Sequence, residues 1–389
     1  MDSEKIKKLE NDYTANTYAR YDVALVSGKG AVAKDPEGRE FIDFTSGIGV
    51  NSLGFCEPGW VDAVQRQAGL LQHTSNLFYT EPCALASEKL IKLTGMSNVF
   101  FANSGAEANE GAIKAARKYK SDRFQIVTLT ESFHGRTMAT ITATGQESFH
   151  RYFTPFLQGF GYAETNNTES LYETVTEDTC AIMIEFIQGE GGINELNRDF
   201  VDEIVKICDE KDILLIADEV QTGLGRTGKF MSYEHYGVKP DIVTLAKGVG
   251  GGLPIGCVLF GEKAKEILGP GDHGSTFGAN PIACAGADYV LSKFMDGGAF
   301  LGEIADKGEY FREKLLAIPG VKGVSGKGLM IGIDVDEKNA KEIVAEALKR
   351  GLLTLTAKDK VRLLPPLNIE YEMIDKGLSI LAGAIKAVV

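Results

Sequence analysis

Short apolar runs alternate with helix-like segments through the middle of this 389-residue chain. The runs are bounded by polar or turn residues and lie at 98–102, 125–129, 181–184, 213–217 and 242–245. Apolar residues at helical spacing lie between them, most clearly at 106–119 and 200–208. Buried parallel strands have this continuous apolar character, and helices usually connect them. We therefore expect an α/β fold with a mostly parallel sheet over roughly residues 56–275.

The pattern changes toward the C-terminus, where amphipathic segments surround short strand-like runs. The helix-like segments lie at about 279–296, 299–316, 337–350 and 370–388. The strand-like runs lie near 328–335, 352–356 and 361–364. This mixture predicts a smaller α+β domain over residues 279–389, following a large α/β domain over residues 56–278.

Residues 1–55 are too few to form a domain by themselves. Within them, residues 31–44 contain two strand-like pieces around the turn signal Asp35-Pro36-Glu37-Gly38. We therefore expect this N-terminal segment to pack with the smaller domain, which would then be built from both ends of the chain.

Charge and cysteine usage argue against several classes of protein. The chain has 54 acidic and 41 basic side chains and a net charge of −13, which disfavours a nucleic-acid partner. No uncharged run approaches the roughly 20 residues of a membrane-spanning helix, and the N-terminus lacks the apolar core of a signal peptide. The six cysteines include no C-x-x-C pair, and the five histidines have no metal-binding spacing. We expect a cytoplasmic protein with reduced thiols, no metal site and no membrane contact.

A glycine-rich segment formally matches two nucleotide-binding patterns. Residues 223–228 fit G-x-G-x-x-G, and residues 223–229 fit G-x-x-x-x-G-K. However, Phe230 stands where the phosphate loop requires Ser or Thr, and residues 218–221 separate the glycines from the preceding apolar run. Both motifs require a tight turn between strand and helix. The context therefore disfavours nucleotide binding, and a non-catalytic nucleotide-binding protein is kept as an alternative.

The first candidate site residues open the predicted helix that follows 98–102. Ser104 is a plausible N-cap, and Glu107 three residues later would complete a capping box. Free amides at a helix N-terminus bind anions, above all phosphate, and Gly105 allows a ligand to approach closely. An ordinary capped helix would use the same residues, so both interpretations stay open.

Three further segments follow predicted strands. Phe133 and Arg136 offer a stacking face and a carboxylate clamp, and Asp218 is a carboxylate that can hold a positive charge. Lys247 is followed by closely spaced glycines, and a desolvated lysine there could form a Schiff base. Each could instead be an ordinary packed or solvated residue. With the helix N-terminus, they supply the parts that a pyridoxal phosphate site needs.

Longer segments resemble the class III aminotransferases of fold type I, from about residue 18 to residue 388. The blocks that carry the resemblance are SFHGRT (132–137), DEVQTGLGRTG (218–228), GDHGSTFGANP (271–281) and RLLPPL (362–367). The resemblance implies pyridoxal 5′-phosphate as cofactor, a seven-stranded, mostly parallel sheet in the large domain, and a homodimer with shared active sites.

The resemblance also implies a role for each matching residue. Lys247 would hold the cofactor and transfer protons, and Asp218 would pair with the nitrogen of the cofactor ring. Further cofactor contacts are expected from Ser104, Gly105, Ala106, Phe133, Val220, Gln221 and, reaching from the neighbouring subunit, Thr276. Substrate contacts are expected from Arg136 as a clamp for the α-carboxylate, from Glu190 and Arg362 as a gate, and from Ser275.

The short form of the 271–281 block resembles the branch of the class that acts on acetylornithine. It implies transfer of the terminal amino group of N2-acetylornithine to 2-oxoglutarate, a step of arginine biosynthesis. The alternatives within the class are ornithine, succinylornithine, 4-aminobutyrate and N-acyl-lysine donors. A decarboxylase, racemase or aminomutase of the same fold is an alternative from another class.

Three departures from the family pattern affect the expected site or its entrance. Phe186 stands where the family usually has proline, and Ala106 stands where threonine is common. Residues 54–58 lack the usual histidines. Ala106 removes a hydroxyl that could contact the phosphate. The change at residues 54–58 bears on the choice of substrate more than on the type of reaction.

Overall fold

Residues 1–57 form an N-terminal segment of short elements. The computed structural model describes residues 1–335 and 339–389 of the chain. The N-terminal elements are α1 (Ser3–Tyr13), β1 (Ser27–Lys29), β2 (Val32–Lys34), β3 (Glu40–Asp43) and the helical turn α2 (Ser46–Gly49). Strands β2 and β3 pair in antiparallel fashion around the turn at residues 35–38, as the turn signal predicts.

The middle of the chain supplies the main sheet and its covering helices. Its helices are α3 (Pro58–Ala68), α4 (Glu81–Thr94), α5 (Gly105–Tyr119), α6 (Met138–Ala143), α7 (Glu147–His150), α8 (Thr168–Thr174) and α9 (Arg198–Glu210), with 3₁₀ helices at Ser232–Tyr236 and Lys247–Gly250. Its strands are β4 (Asn98–Ala102), β5 (Gln125–Leu129), β6 (Phe160–Ala163), β7 (Thr179–Ile184), β8 (Ile187–Gln188), β9 (Asn194–Glu195), β10 (Leu214–Asp218), β11 (Ile242–Leu245) and β12 (Gly256–Phe260).

Seven of these strands form one sheet in the order β4-β12-β11-β10-β7-β5-β6. Strands β11, β10, β7, β5 and β6 are parallel to one another, and β12 is antiparallel to both β11 and β4. The expectation of an α/β fold with a mostly parallel sheet is therefore confirmed. All five apolar runs are strands of this sheet, whereas the sequence pattern did not identify β6 or β12.

Both faces of the sheet are covered, which explains why its strands are apolar throughout. On one face, the alanines of α5 pack against alternate residues of β5, β7, β10 and β11. On the other face, α9 packs against the remaining residues of the same strands. The alanine stripe predicted for residues 106–119 is thus the buried face of a helix.

The C-terminal part contains the helices and strands expected there. They are α10 (Pro281–Ser292), α11 (Ala299–Leu316), β13 (Gly323–Ser325), β14 (Ile331–Asp334), α12 (Ala340–Lys349), β15 (Leu352–Leu353), β16 (Leu355–Ala357), β17 (Lys360–Leu363) and α13 (Tyr371–Val388). The helix predicted over 337–350 begins at Ala340 among the described residues, and its positions 337 and 338 lie outside them.

Strands of this part lie in two small sheets, one of which connects it to the N-terminal segment. Strands β13, β14, β17 and β16 form an antiparallel sheet, and β15 adds in parallel to β3 of the N-terminal segment. Helix α10 packs against α3 and α4 of the preceding region. The domain boundaries at residues 55 and 278 stay predictions. In the described ranges 1–335 and 339–389, no helix has the length and apolar character needed to cross a membrane.

Gly256 begins β12 directly against the loop that precedes α5. A Cβ at this position would lie 2.2 Å from the backbone oxygen of Ser104, so the strand or the loop would have to move. Overpacking of this kind costs about 1–3 kcal/mol. We expect Gly256→Ala to lower the free energy of unfolding by about that amount in chemical denaturation.

Gly302 of α11 provides the matched control, because a Cβ there would have no neighbour within 4 Å. Alanine favours a helix over glycine by about 1 kcal/mol, so Gly302→Ala should leave stability unchanged or raise it. Wild-type stability in Gly256→Ala would show that the loop before α5 is not held against β12.

Candidate active site

A cavity of about 430 Å³ lies at the carboxyl ends of the parallel strands. Its wall is formed by the segments that follow four strands of the main sheet, namely 103–106 after β4, 133–136 after β5, Asp218 at the end of β10, and 246–247 after β11. The loop 252–255 before β12 closes another side. Ligands of open α/β sheets bind at this edge.

The N-terminus of α5 points backbone amides into this cavity. Ser104 is the N-cap, and its Oγ accepts a hydrogen bond from the amide of Glu107 at 3.2 Å. Within the described residues, the amides of Gly105 and Ala106 donate to no other group. A Cβ at Gly105 would lie 2.7 Å from Val220, so only glycine fits between this helix and the segment after β10. The arrangement is suited to an anion.

The predicted capping box is only half correct. The side chain of Glu107 accepts hydrogen bonds from the backbone amide of Asn103 at 3.0 Å and from its side-chain amide at 2.8 Å. The Glu107 carboxylate therefore binds the backbone amide of Asn103, whereas a capping box requires it to bind the amide of Ser104, one residue later. This geometry fixes the loop before α5 without using the amides of Gly105 and Ala106.

Asp218 presents a buried carboxylate to the cavity, and its side chain is 4% exposed. Its Oδ2 accepts hydrogen bonds from Asn109 Nδ2 at 2.8 Å and from His134 Nδ1 at 2.7 Å, and its Oδ1 accepts one from the Val220 amide at 3.0 Å. Burial alone would lower the pKa of His134, but the hydrogen bond to Asp218 and the charge of Asp218 outweigh it and raise that pKa. The raised pKa favours a protonated His134, which places a positive charge directly beside the carboxylate.

Lys247 directly follows the end region of β11 and has a strained backbone. Its φ of 47° lies in the left-handed region, which residues other than glycine rarely adopt and which is concentrated at functional sites. Burial lowers the pKa of the Lys247 amine, against the opposing charge of Glu190. No described residue accepts a hydrogen bond from its Nζ. The amine is thus available as a base or nucleophile.

The structure places Glu190 and Arg362 in direct contact beside the cavity. Arg362 Nη1 lies 2.6 Å from Glu190 Oε1 and also donates to Gln221 Oε1 at 3.2 Å. Gln221 Nε2 in turn donates to Glu190 Oε1 at 3.2 Å. Burial by itself raises the pKa of Glu190, but the charge and hydrogen bond of Arg362 outweigh burial and hold that pKa below its usual value. Glu190 and Arg362 are therefore paired in this structure, and their role as a gate stays a prediction.

Thr276, expected to act across subunits, and Ser275, expected to contact the substrate, lie apart from this cavity. Ser275 and Thr276 line a second cavity with His273, and Thr276 is exposed. Ser275 Oγ accepts a hydrogen bond from the side chain of Asn103 at 3.0 Å, which connects its loop to the one before α5. The other predicted site residues line the first cavity or contact residues that do.

Sequence reasoning did not assign roles to three residues that shape the site. Asn109 and His134 bind Asp218, and Asn109 is a polar residue within the alanine stripe of α5. Glu185 follows β7 and accepts hydrogen bonds from the amides of Phe133 at 2.9 Å and Gly189 at 3.2 Å. Burial raises the pKa of Glu185 to about 7. An acid directly after an apolar run was a usable signal, as it was for Asp218.

The unusual Phe186 lies behind the site. Its ring is fully buried and packs 5.2 Å from the ring of Tyr236, so it fills the core instead of lining the cavity. Among the residues that the structure describes, no group of His, Cys, Asp and Glu side chains is arranged to hold a metal ion.

Comparison with known proteins identifies the class of enzyme. The family Aminotransferase class-III matches residues 13–385, and the chain belongs to this family. The protein is therefore an aminotransferase with the fold of its class.

Individual relatives are similar along their whole length. The chain is 50% identical to the acetylornithine aminotransferase of Haemophilus ducreyi over 99% of both chains. It is also 50% identical to that of Caldanaerobacter subterraneus subsp. tengcongensis, over 97% of this chain and 98% of the relative.

Solved structures give the same architecture. The N-acetylornithine aminotransferase of Stenotrophomonas maltophilia is 36% identical with a TM-score of 0.84, over 98% of both chains. The ornithine aminotransferase of Toxoplasma gondii is 30% identical with a TM-score of 0.94, over 100% of this chain and 96% of that one.

The His134–Asp218 pair predicts a pH-dependent contribution to stability. The folded-state pKa of His134 is raised above 6.5, so the pair stabilises fully below that pH and loses its effect as the pH rises through the folded-state pKa. We expect the free energy of unfolding lost in His134→Gln to be larger at about pH 6 than at about pH 9, measured by urea denaturation.

His235 offers a control of opposite sign. Burial lowers the pKa of His235, so it should destabilise the fold as the pH falls, and His235→Gln should show the reverse trend. A His134→Gln effect that does not vary with pH would contradict a protonated His134.

Proposed function

We propose that this protein uses pyridoxal 5′-phosphate to transfer the terminal amino group of N2-acetylornithine to 2-oxoglutarate. The observation that carries the proposal is the convergence of three features in one cavity. These are the free amides at the start of α5, the buried carboxylate of Asp218 and the desolvated amine of Lys247.

The chemistry of these groups fits the cofactor. The Gly105 and Ala106 amides at a helix N-terminus, with the Ser104 hydroxyl nearby, suit its phosphate. Asp218 suits a protonated pyridine nitrogen, and Gln221 suits the ring hydroxyl. Phe133 and Val220 line the cavity as apolar surfaces for the two faces of the ring. When bound, the cofactor supplies an electron sink for charge that develops on the substrate.

The residues of the chain then perform the remaining tasks. Lys247 would hold the cofactor through Nζ, and its free amine would accept a proton from the substrate carbon and return it. The lowered pKa of its amine favours the neutral form that accepts this proton. Asn109 and His134 hold Asp218 in place, so its negative charge stays directed at the cavity.

Two arginines fit the two substrates. Arg136 lies exposed at the cavity and would bind the α-carboxylate of either substrate. While Glu190 neutralises Arg362, the site suits a donor with one carboxylate, such as N2-acetylornithine. Displacement of Glu190 would free Arg362 for the second carboxylate of 2-oxoglutarate.

Sequence identity supports acetylornithine as donor over ornithine. Relatives that are 50% identical over nearly their whole length are acetylornithine aminotransferases, which supports a place in arginine biosynthesis. The higher TM-score belongs to an ornithine aminotransferase. A TM-score reports the backbone shape that the whole class shares. Sequence identity includes the side chains of the substrate pocket, so it bears more directly on the choice of donor.

We further propose a homodimer in the cytoplasm. Leu77, Phe78 and Phe277 are 85%, 69% and 62% exposed, which is unusual for such apolar side chains unless a partner covers them. Asn76 binds the backbone of Ser275 and Gly278, so these side chains lie on joined segments. A second copy seated there would bring Thr276 toward the phosphate site of its partner. All six cysteines are free, which suits a reducing compartment.

A panel of amino donors tests the proposed function. Purified protein with pyridoxal phosphate and 2-oxoglutarate is assayed with N2-acetylornithine, ornithine, succinylornithine, 4-aminobutyrate and an N-acyl-lysine. We expect glutamate to form, with kcat/KM for N2-acetylornithine at least about tenfold above that for ornithine, because an unmatched polar group in the pocket costs this much or more. A preference for ornithine would contradict the assigned donor. Donor consumption without glutamate would indicate a decarboxylase, racemase or aminomutase.

A further inference from the structure

The guanidinium of Arg136 is held by aromatic rings. Among the described residues it makes no ion pair or hydrogen bond, although it is exposed at the cavity. Its Cζ lies 4.2 Å from the ring centroid of Phe149 and 5.7 Å from that of Phe133. The two rings meet edge to face, with centroids 5.5 Å apart and planes at 60°. The rings therefore form a corner in which the guanidinium sits.

Phe149 lies in α7, outside the block of sequence that contains Arg136. Hydrogen bonds nevertheless connect its segment to the loop that carries Arg136. The amide of Phe149 donates to the backbone oxygen of Gln146 at 3.1 Å. The side chain of Gln146 in turn donates to the backbone oxygens of Ser132 at 3.0 Å and Glu131 at 3.3 Å. These bonds hold the backbone at Phe149 against the loop that carries Arg136.

We propose that Phe149 is a positioning residue that sets the plane of the Arg136 guanidinium for a substrate carboxylate. The inference rests on the proposed role of Arg136 as the carboxylate clamp. A free arginine side chain has many rotamers, and holding one of them lowers the entropy lost on binding. A ring face attracts the cation without using its N–H donors, so these stay in the plane where a carboxylate accepts two of them.

The proposal predicts an effect confined to substrates that carry the carboxylate. In Phe149→Leu, KM for N2-acetylornithine and for 2-oxoglutarate should each rise about two- to fivefold, with kcat nearly unchanged. N-acetylputrescine is the same donor without its α-carboxylate, and its kcat/KM should not change. Phe149→Tyr keeps the ring face and should restore both KM values.

Phe156→Leu is the matched control. The ring of Phe156 packs 5.0 Å from His150, the neighbour of Phe149, but it makes no ring contact with Arg136. Phe156→Leu should therefore leave the KM values for N2-acetylornithine and 2-oxoglutarate unchanged. A rise equal to that of Phe149→Leu would show that any loosening of this segment has the same effect, and would overturn the proposal.

A double-mutant cycle and a binding measurement complete the test. In an Arg136→Ala background, Phe149→Leu should cause no further loss, because its partner is absent.

Calorimetric titration with 2-oxoglutarate should show the same two- to fivefold weakening of binding for Phe149→Leu. If N-acetylputrescine reacts too slowly to be measured, this titration provides the test of Phe149. An additive loss in the Arg136→Ala background, or unchanged binding, would overturn the proposal. A wild-type protein inactive with every donor would instead contradict the proposed function, while the titration would still test Phe149.

Discussion

The parallel pairing of β10 with β7 and β11 determines where chemistry can occur in this protein. Ala217 of β10 pairs with Ile184 of β7 and Asp218 pairs with Thr244 of β11, so these strands end at one edge of the sheet. Asp218 ends β10 and supplies the carboxylate of the site, and Lys247 follows β11 and supplies the amine. Helix α5 starts at the same edge, because β4 also runs parallel and ends there. One topological constraint thus brings together groups that lie far apart in sequence.

Buried charges at this edge are tolerated because each has a partner. Asp218 is satisfied by Asn109, His134 and a backbone amide, and Glu190 neutralises Arg362. Unpaired, such groups would cost several kcal/mol each. Lys247 is the contrasting case, since burial shifts its amine toward the neutral form. The cavity therefore combines paired charges with one buried amine whose pKa is lowered by burial.

The sequence was sufficient for features that depend on local pattern, and insufficient for those that depend on tertiary contact. Apolar runs located five strands of the main sheet, and side chains at strand ends located Asp218 and Lys247. Strand β12 was not identified because it begins at Gly256, after a glycine-rich stretch that resembles a loop. The bond from Glu107 to Asn103 and the stacking of Phe149 on Arg136 each depend on the folded path of a loop, which no local pattern encodes.

Covalent trapping is the sharpest test of whether Lys247 holds the cofactor. The protein is mixed with a stoichiometric amount of pyridoxal phosphate, reduced with borohydride, digested and mapped by mass spectrometry. We expect one phosphopyridoxyl group per chain, on Lys247, and none after Lys247→Ala. A label on another lysine of the wild-type chain, or no label at all, would contradict this role of Lys247.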